Sequence, residues 1–250
     1  MQVRSRSLSA FFLPLAALIV ILLSSCGPKA RIVGKVTDAF GKPVAGVDIS
    51  IPSTTFKTTT DSSGEYVLPF APGKFTVVFA KAGMTGFTVD EEIATETKVP
   101  LADVTLYQYP SAPGFWLIGQ DSYIAVEPSR LAGKADPDRV DGDAMKIPSQ
   151  PTISFLAYRN ESLRPVALAS DGTLMTHRVG TVFAFQWQYN WVEDNQAKLA
   201  KDLQLHKVAI ESGQIAFATV REVVGHNPEI GFGWNVRNPV YRVEVNGESK

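Results

Sequence analysis

Three histidines, a cluster of aspartates and an alternating run of aromatic rings are the residues of this 250-residue chain that invite a chemical reading. His177, His206 and His226 fall in different predicted elements, so their spacing joins them in no site. Nucleophilic hydrolysis places a serine or cysteine beside a base, often marked by G-x-S-x-G, and zinc peptidases carry H-E-x-x-H. The chain contains neither motif. Glu193, Asp194 and Glu229 supply carboxylates without a legible paired spacing. The stretch "NPEIGFGWN" (227–235) has the glycines of a shaped loop but not the strand, glycine spacing and helix of a phosphate cradle. The expectation is a protein that is not an enzyme, with an unrecognised hydrolase as the second alternative.

Two clusters point to binding instead. "KADPDRVDGDAM" (134–145) gathers Asp136, Asp138, Asp141 and Asp143, and calcium takes several oxygen ligands from one loop in the spacing D-x-D-x-D-G. Here the third aspartate comes one residue late and Pro137 stiffens the first step, so a solvated acidic loop is the favoured reading and calcium the weak one. No cofactor is expected beyond lipid. In "TVFAFQWQYNW" (181–191), Phe183, Phe185, Trp187, Tyr189 and Trp191 alternate with smaller or polar residues, which puts all five rings on one face of a strand. Aromatic residues favour sheets and bury large areas, so a core strand is the first reading. A stacking face for sugar rings or a groove for a partner is the second, with Trp187, Tyr189 and Trp191 as its candidate residues.

The single cysteine stands where an apolar run meets Gly and Pro, in "LIVILLSSCGPKA" (18–30). Arg4 and Arg6 precede an apolar stretch from Ala10 to Leu23 that Pro14 interrupts. A helix needs roughly 20 apolar residues to span a bilayer, so this pattern is that of a secretory signal. Leu23-Ser24-Ser25-Cys26 resembles the lipobox of bacterial lipoproteins. The resemblance implies a diacylglycerol on the Cys26 sulfur, removal of residues 1–25 and acylation of the new amino terminus. One acyl chain holds a protein to a membrane only marginally and two signals hold it stably, so three chains would make release negligible. An uncleaved anchor and a plain secretory leader are the competing readings. Gly27 rather than Asp follows the cysteine, which by resemblance to enterobacterial sorting implies the outer membrane, facing the periplasm or the surface.

Without residues 1–25 the chain keeps 22 basic and 25 acidic residues, a formal charge of −3. No basic footprint for phosphates is present, so nucleic acid is not an expected partner. One cysteine allows no intrachain disulfide, and stability must come from packed cores that 45% hydrophobic residues can build.

The elements that would carry these residues are strands. Val47, Ile49 and Ile51 alternate with polar residues, as do Phe75, Val77 and Phe79, and "AFGKP" (39–43), "DSSG" (61–64) and Pro72-Gly73 punctuate them with turn residues. Several short strands at this spacing make an antiparallel sandwich. Gly34-Lys35-Val36-Thr37-Asp38, Gly41-Lys42-Pro43-Val44-Ala45-Gly46-Val47, Thr60-Asp61-Ser62-Ser63-Gly64-Glu65-Tyr66, Gly73-Lys74-Phe75 and Lys81-Ala82-Gly83 together resemble the carboxypeptidase regulatory-like domain. The resemblance covers residues 31–108 and implies a transthyretin-like sandwich of about seven strands, commonly an accessory module. Met84 departs from it, standing where the family often has an aromatic residue. Residues 31–108 lack histidine and the chain ends "NGESK", unlike the related hydrolases.

The expected organisation is therefore a signal peptide (1–25), a lipidated tether (26–30), the sandwich (31–108), a Pro-rich linker (109–114, within "YQYPSAPG") and a second β-rich domain (115–250). The four tether residues before Arg31 reach at most about 14 Å, which would keep the sandwich near the membrane. Strands are predicted in 115–126, 152–158, 165–179 with a two-residue Asp171-Gly172 hairpin, 214–220 and 240–245. A short helix is predicted over about 194–204, capped by Asp194 or Asn195, with Leu199 and Leu203 on one face. The fold class is mainly β. The expected function is a membrane-anchored envelope lipoprotein that binds or assembles with an envelope protein, the alternative being a carbohydrate or peptidoglycan binder.

Overall fold

A computed structural model describes residues 30–94, 98–133, 138–160, 162–181, 184–224 and 232–246, with backbone alone for 178–181, 184–188, 221–224 and 232–235. Every regular element among them is a strand, and none is a helix long and apolar enough to cross a membrane. The chain divides into two units, the first holding Pro43–Lys81, Phe87–Thr105 and the residues up to Thr37, the second holding Asp38–Lys42, Ala82–Gly86 and everything from Leu106.

The first unit is built from β1 (Arg31–Asp38), β2 (Asp48–Ser50), β3 (Lys57–Thr59), β4 (Glu65–Pro69), β5 (Gly73–Ala80), β6 (Phe87–Ile93), β7 (Lys98–Pro100) and β8 (Val104–Leu106). These make two four-stranded sheets, one ordered β4-β1-β7 with β8 also on β1, the other β3-β2-β5-β6. The predicted period-two pattern holds: Val47, Ile49, Ile51, Val77 and Phe79 are buried. Tyr66 of β4 and Phe79 of β5 meet edge to face with centroids 5.6 Å apart, joining the two sheets through ring contact. Tyr66 also lies across its register partner Gly34, where an added Cβ would come within 2.7 Å of the phenol oxygen. In the "DSSG" turn the Asp61 carboxylate accepts from the Ser63 and Glu65 amides, and Gly64 adopts a φ of +75°. A Cβ there would stand 2.4 Å from the Val36 carbonyl oxygen, so the turn admits glycine alone.

The second unit continues with β9 (Gly114–Ile118), β10 (Tyr123–Val126), β11 (Pro128–Leu131), β12 (Val140–Asp141), β13 (Met145–Pro148), β14 (Gln150–Tyr158), β15 (Leu163–Leu168), β16 (Thr176–Thr181), β17 (Ala184–Tyr189), β18 (Ala197–Ala200), β19 (Leu203–Ile210), β20 (Gly213–Val224) and β21 (Phe232–Asn246). A five-stranded sheet runs β10-β9-β14-β19-β18, a six-stranded sheet runs β12-β11-β21-β20-β15 with β13 also on β21, and β16 pairs with β17. Alternation assigns each strand two faces. Phe115 and Leu117 of β9, Phe155 and Ala157 of β14 and Val208 of β19 pack with Phe217, Tyr241 and Val243 of the six-stranded sheet. On its opposite face the five-stranded sheet buries Leu156, Leu203 and Leu205 with Tyr107, while Val166, Leu168, Ala216, Ala218 and Val240 carry a third core with Leu174 and Tyr189.

Three local expectations give way to tertiary pairing. Residues 194–204 form no helix: Asp194 bridges Val208, Ala197–Ala200 is β18, and Ala197 pairs with Leu205 across a short hairpin. The four-residue step from Leu199 to Leu203 that reads as one helical face is here the step around that hairpin, and both leucines pack in the same core. At Asp171-Gly172 the turn holds three residues rather than two. The Gly172 amide donates to Ala169 O and the Ala169 amide to Thr173 O, with Gly172 at φ +86°, which is a type I turn closed by a glycine bulge. Finally, residues 107–114 lie within the second unit rather than spacing it from its neighbour. Tyr107 is buried beside Leu156, and the Tyr109 ring meets Tyr158 with centroids 5.7 Å apart.

Candidate functional site around Trp191

The aromatic strand ends where its last two rings part company. Tyr189 closes β17, is 7% exposed and belongs to the core behind the six-stranded sheet. Its hydroxyl donates to Asp138 Oδ1 at 3.4 Å, and burial, aided by the Asp138 charge, pushes the phenol up to about 12. Trp191 is 38% exposed although it is two residues on. The reason is a change of partner. Through Tyr189 the chain pairs with β16, whereas the Ala167 amide donates to Asn190 O and Trp191 bridges Val166, both on the β15 side. Strand alternation holds only while one ladder continues, so the parity that puts Tyr189 inward does not extend to Trp191. The two rings still touch edge to face at 6.2 Å.

Trp191 forms one wall of a cleft of about 240 Å³ lined also by Arg164, Pro165, Val192, Asp194 and Gln196. The Arg164 guanidinium carbon stands 5.5 Å from the indole centroid, a cation–π contact that holds both side chains at the rim. Gln196 donates through Nε2 to Gln204 Oε1 at 3.0 Å, which leaves its own amide oxygen directed by that contact. Behind the cleft, His206 of β19 is wholly buried and donates from Nδ1 to Asp194 Oδ2 at 2.9 Å. Phe115 and Phe217 present T-shaped contacts to the imidazole at 6.0 and 5.7 Å. Asp194 Oδ1 and His206 Nε2 are both screened from solvent and have no hydrogen-bond partner. The pair holds the Asp194 carboxylate in one orientation against an aromatic core, with one acceptor oxygen uncommitted.

The remaining candidates are not brought together. Trp187 sits opposite Arg178 in the β16–β17 ladder, its side chain beyond the described set. Cys26, Asp136, Phe183, His226 and Glu229 lie outside the described residues. Asp138 accepts from Tyr189, Asp141 pairs with Arg139 at 3.1 Å, and Asp143 is exposed. Arg242 donates to the Val140 and Gly142 carbonyl oxygens, so a guanidinium faces the acceptors that a loop-bound cation would use. Among the described residues no three His, Cys, Asp or Glu side chains are grouped to hold a metal ion. His177 is exposed and donates to Asn190 Oδ1 at 2.7 Å. A larger groove of about 490 Å³ in the first unit, lined by Gly34, Lys35, Tyr66 and Lys98 among others, offers no exposed ring.

Arg164 and the His206–Asp194 pair carry no sequence signal of their own. His206 does fall at an inward position of "LQLHKV", but the helical reading of 194–204 separates it from Asp194, and pairing of residue 194 with Val208 is what joins them.

Residues 31–107 match the carboxypeptidase regulatory-like domain and form such a module at the head of the chain. No curated protein matches the sequence. Among solved structures, a cohesin–X-dockerin complex from Acetivibrio cellulolyticus is similar at 22% identity over 32% of this chain and 58% of that one, with a TM-score of 0.28. A protein from Bacteroides uniformis assigned to carbohydrate binding is similar at 12% identity over 87% of this chain and all of that one, TM-score 0.27. The major pilin subunit of Bacillus cereus, as its D312A variant, is similar at 13% identity over 87% and 69% of the two chains, TM-score 0.26. This chain thus spans little more than half the length of the cohesin–dockerin match.

Proposed function

We propose that this protein is a lipid-anchored lipoprotein of the bacterial envelope, acting as a non-catalytic binding module whose contact face is the Trp191 cleft. The lipobox around Cys26 supports the anchor, and Gly27 supports the outer membrane as its address. The observation that carries the binding role is the 38% exposure of an indole held between Arg164 and Tyr189 in a unit that buries Phe115, Phe155, Phe217 and Tyr241. Exposed Trp and Arg side chains are the types most enriched among residues that dominate binding energy. The unit needs no exposed indole for its packing, and a cleft beside it gives that indole a use. Partners are expected among envelope components, a protein or a glycan, reached while acyl chains hold the molecule at the bilayer.

Two measurements test this. Mass spectrometry of the native amino terminus should find three acyl chains on residue 26 and no leader; an unmodified thiol removes the anchor. Crosslinking in cells should capture an envelope component with the wild-type protein and fail with Trp191→Ala of equal thermal stability. Equal capture by both removes the cleft from the proposal.

A further inference from the structure

We infer that the Trp191 cleft takes a single ring of a neutral glycan, an inference that rests on the binding-module reading and specifies its ligand. The volume decides first. About 240 Å³ lies just under the range of about 300–1,000 Å³ typical of small-molecule sites, enough for one ring but not for an extended peptide or a folded surface. The chemistry of the lining decides next. A sugar ring presents a face of C–H groups edged by hydroxyls, and the cleft offers a flat half-exposed indole beside side chains that accept and donate hydrogen bonds, Asp194, Gln196 and Arg164.

A protein partner fits less well. An apolar hot spot is set among other buried contacts over some 800 Å² per side. Yet Glu193, Asn195 and Gln196 around the cleft are exposed and polar, and in this part of the second unit Met175 is the other exposed large hydrophobic side chain among the described residues.

Asp194 supplies the independent observation. A buried carboxylate oxygen without a partner is costly, and native structures leave few of them. Asp194 Oδ1 is such an atom; it is screened from solvent here, but its carboxylate keeps 11% exposure in a residue that lines the cleft, where a ligand hydroxyl that displaces its cover would satisfy it. His206 acts here as a positioning residue. By holding Oδ2 through Nδ1 it fixes which carboxylate oxygen is left for a donor, and its own burial between Phe115 and Phe217 prevents the pair from turning away. An asparagine at 194 would keep one acceptor oxygen but lose the charge that strengthens its hydrogen bonds.

The test is isothermal titration of the full chain with cellohexaose, xylohexaose, mannohexaose and chitohexaose up to about 5 mM, past the millimolar range where one stacked ring holds. At least one of the four is expected to bind. Trp191→Ala should then weaken binding about tenfold or more, the worth of one aromatic stacking contact, with the melting temperature kept. Trp191→Phe should restore part of that loss, which a merely structural role for the ring would not produce. Asp194→Asn should weaken binding with melting followed alongside, and His206→Gln should weaken it less. If none of the four oligosaccharides binds while Trp191→Ala still abolishes capture of a protein in crosslinked cells, the glycan inference is overturned and the binding module stands. If oligosaccharide binding is indifferent to Trp191→Ala, the cleft is not the sugar site. If neither ligand binding nor capture depends on Trp191, both fall.

Discussion

Replacing His206 by leucine keeps roughly the side-chain volume inside the ring of Phe115 and Phe217 but removes the donor that Asp194 Oδ2 depends on. Removing the partner that satisfies a buried carboxylate costs about 3–5 kcal/mol when the remaining charge stays fully buried. Asp194 keeps 11% exposure, so partial hydration lowers the expected cost of His206→Leu to about 2–3 kcal/mol, the range for one hydrogen bond to a charged group. The reverse change, Asp194→Ala, leaves a buried imidazole with neither nitrogen hydrogen-bonded, at a cost of about 1–3 kcal/mol. With both changes no charge is left behind, and the double variant should be less destabilised than the sum of the singles by about 2 kcal/mol. Two units make a single global unfolding free energy ill-defined, so the readout is hydrogen exchange of peptides covering β19, which reports the sheet that holds His206. Additivity of the two substitutions to within about 0.5 kcal/mol would refute the claim that the pair acts as a unit.

Gly64→Ala should lower the stability of the first unit by at least about 2 kcal/mol, because the new Cβ meets the Val36 carbonyl at 2.4 Å in a φ of +75° that alanine disfavours; thermal melting checks it. Tyr66→Phe should be neutral or stabilising by up to about 1 kcal/mol, since it removes a buried hydroxyl without a partner, whereas Tyr66→Ala should cost about 3–5 kcal/mol in lost packing. Burial raises the phenols of Tyr66 and Tyr189 from 10 to about 12, so their neutral forms stabilise the fold fully below pH 10 and that stability is lost as pH rises through 12. Phenolate absorbance should show both titrating late, and a Tyr189→Phe variant that leaves the number of late phenols unchanged would contradict this assignment. Calcium or a chelator should leave the melting temperature unchanged, because the acceptors around Asp141 already face Arg139 and Arg242; a clear rise with calcium would reverse that reading of the acidic loop.

What could be read along the chain is what neighbouring residues decide among themselves. Alternation in "VDISI" and "FTVVFA" marks faces that must be buried, and Gly64 marks a turn that tolerates no side chain. The order of such signals identifies residues 31–107 as a sandwich module, and Cys26 after an apolar run is read as an expected lipid attachment point without any fold. The rest depended on partners far along the chain. Leu199 and Leu203 satisfy helical spacing and hairpin spacing equally, and pairing with β19 decided between them by packing both leucines in a core built from distant residues such as Tyr107 and Leu156. The ladder with β16 runs through Tyr189, whose ring is buried, and Trp191 is exposed where its backbone exchanges β16 for β15. His206 met Asp194 by the same route, twelve residues apart in sequence and 2.9 Å apart in space. Local pattern determines which side of a strand is apolar, but the ladder that a strand joins is chosen by long-range burial, and the cleft arises where one ladder ends and another begins.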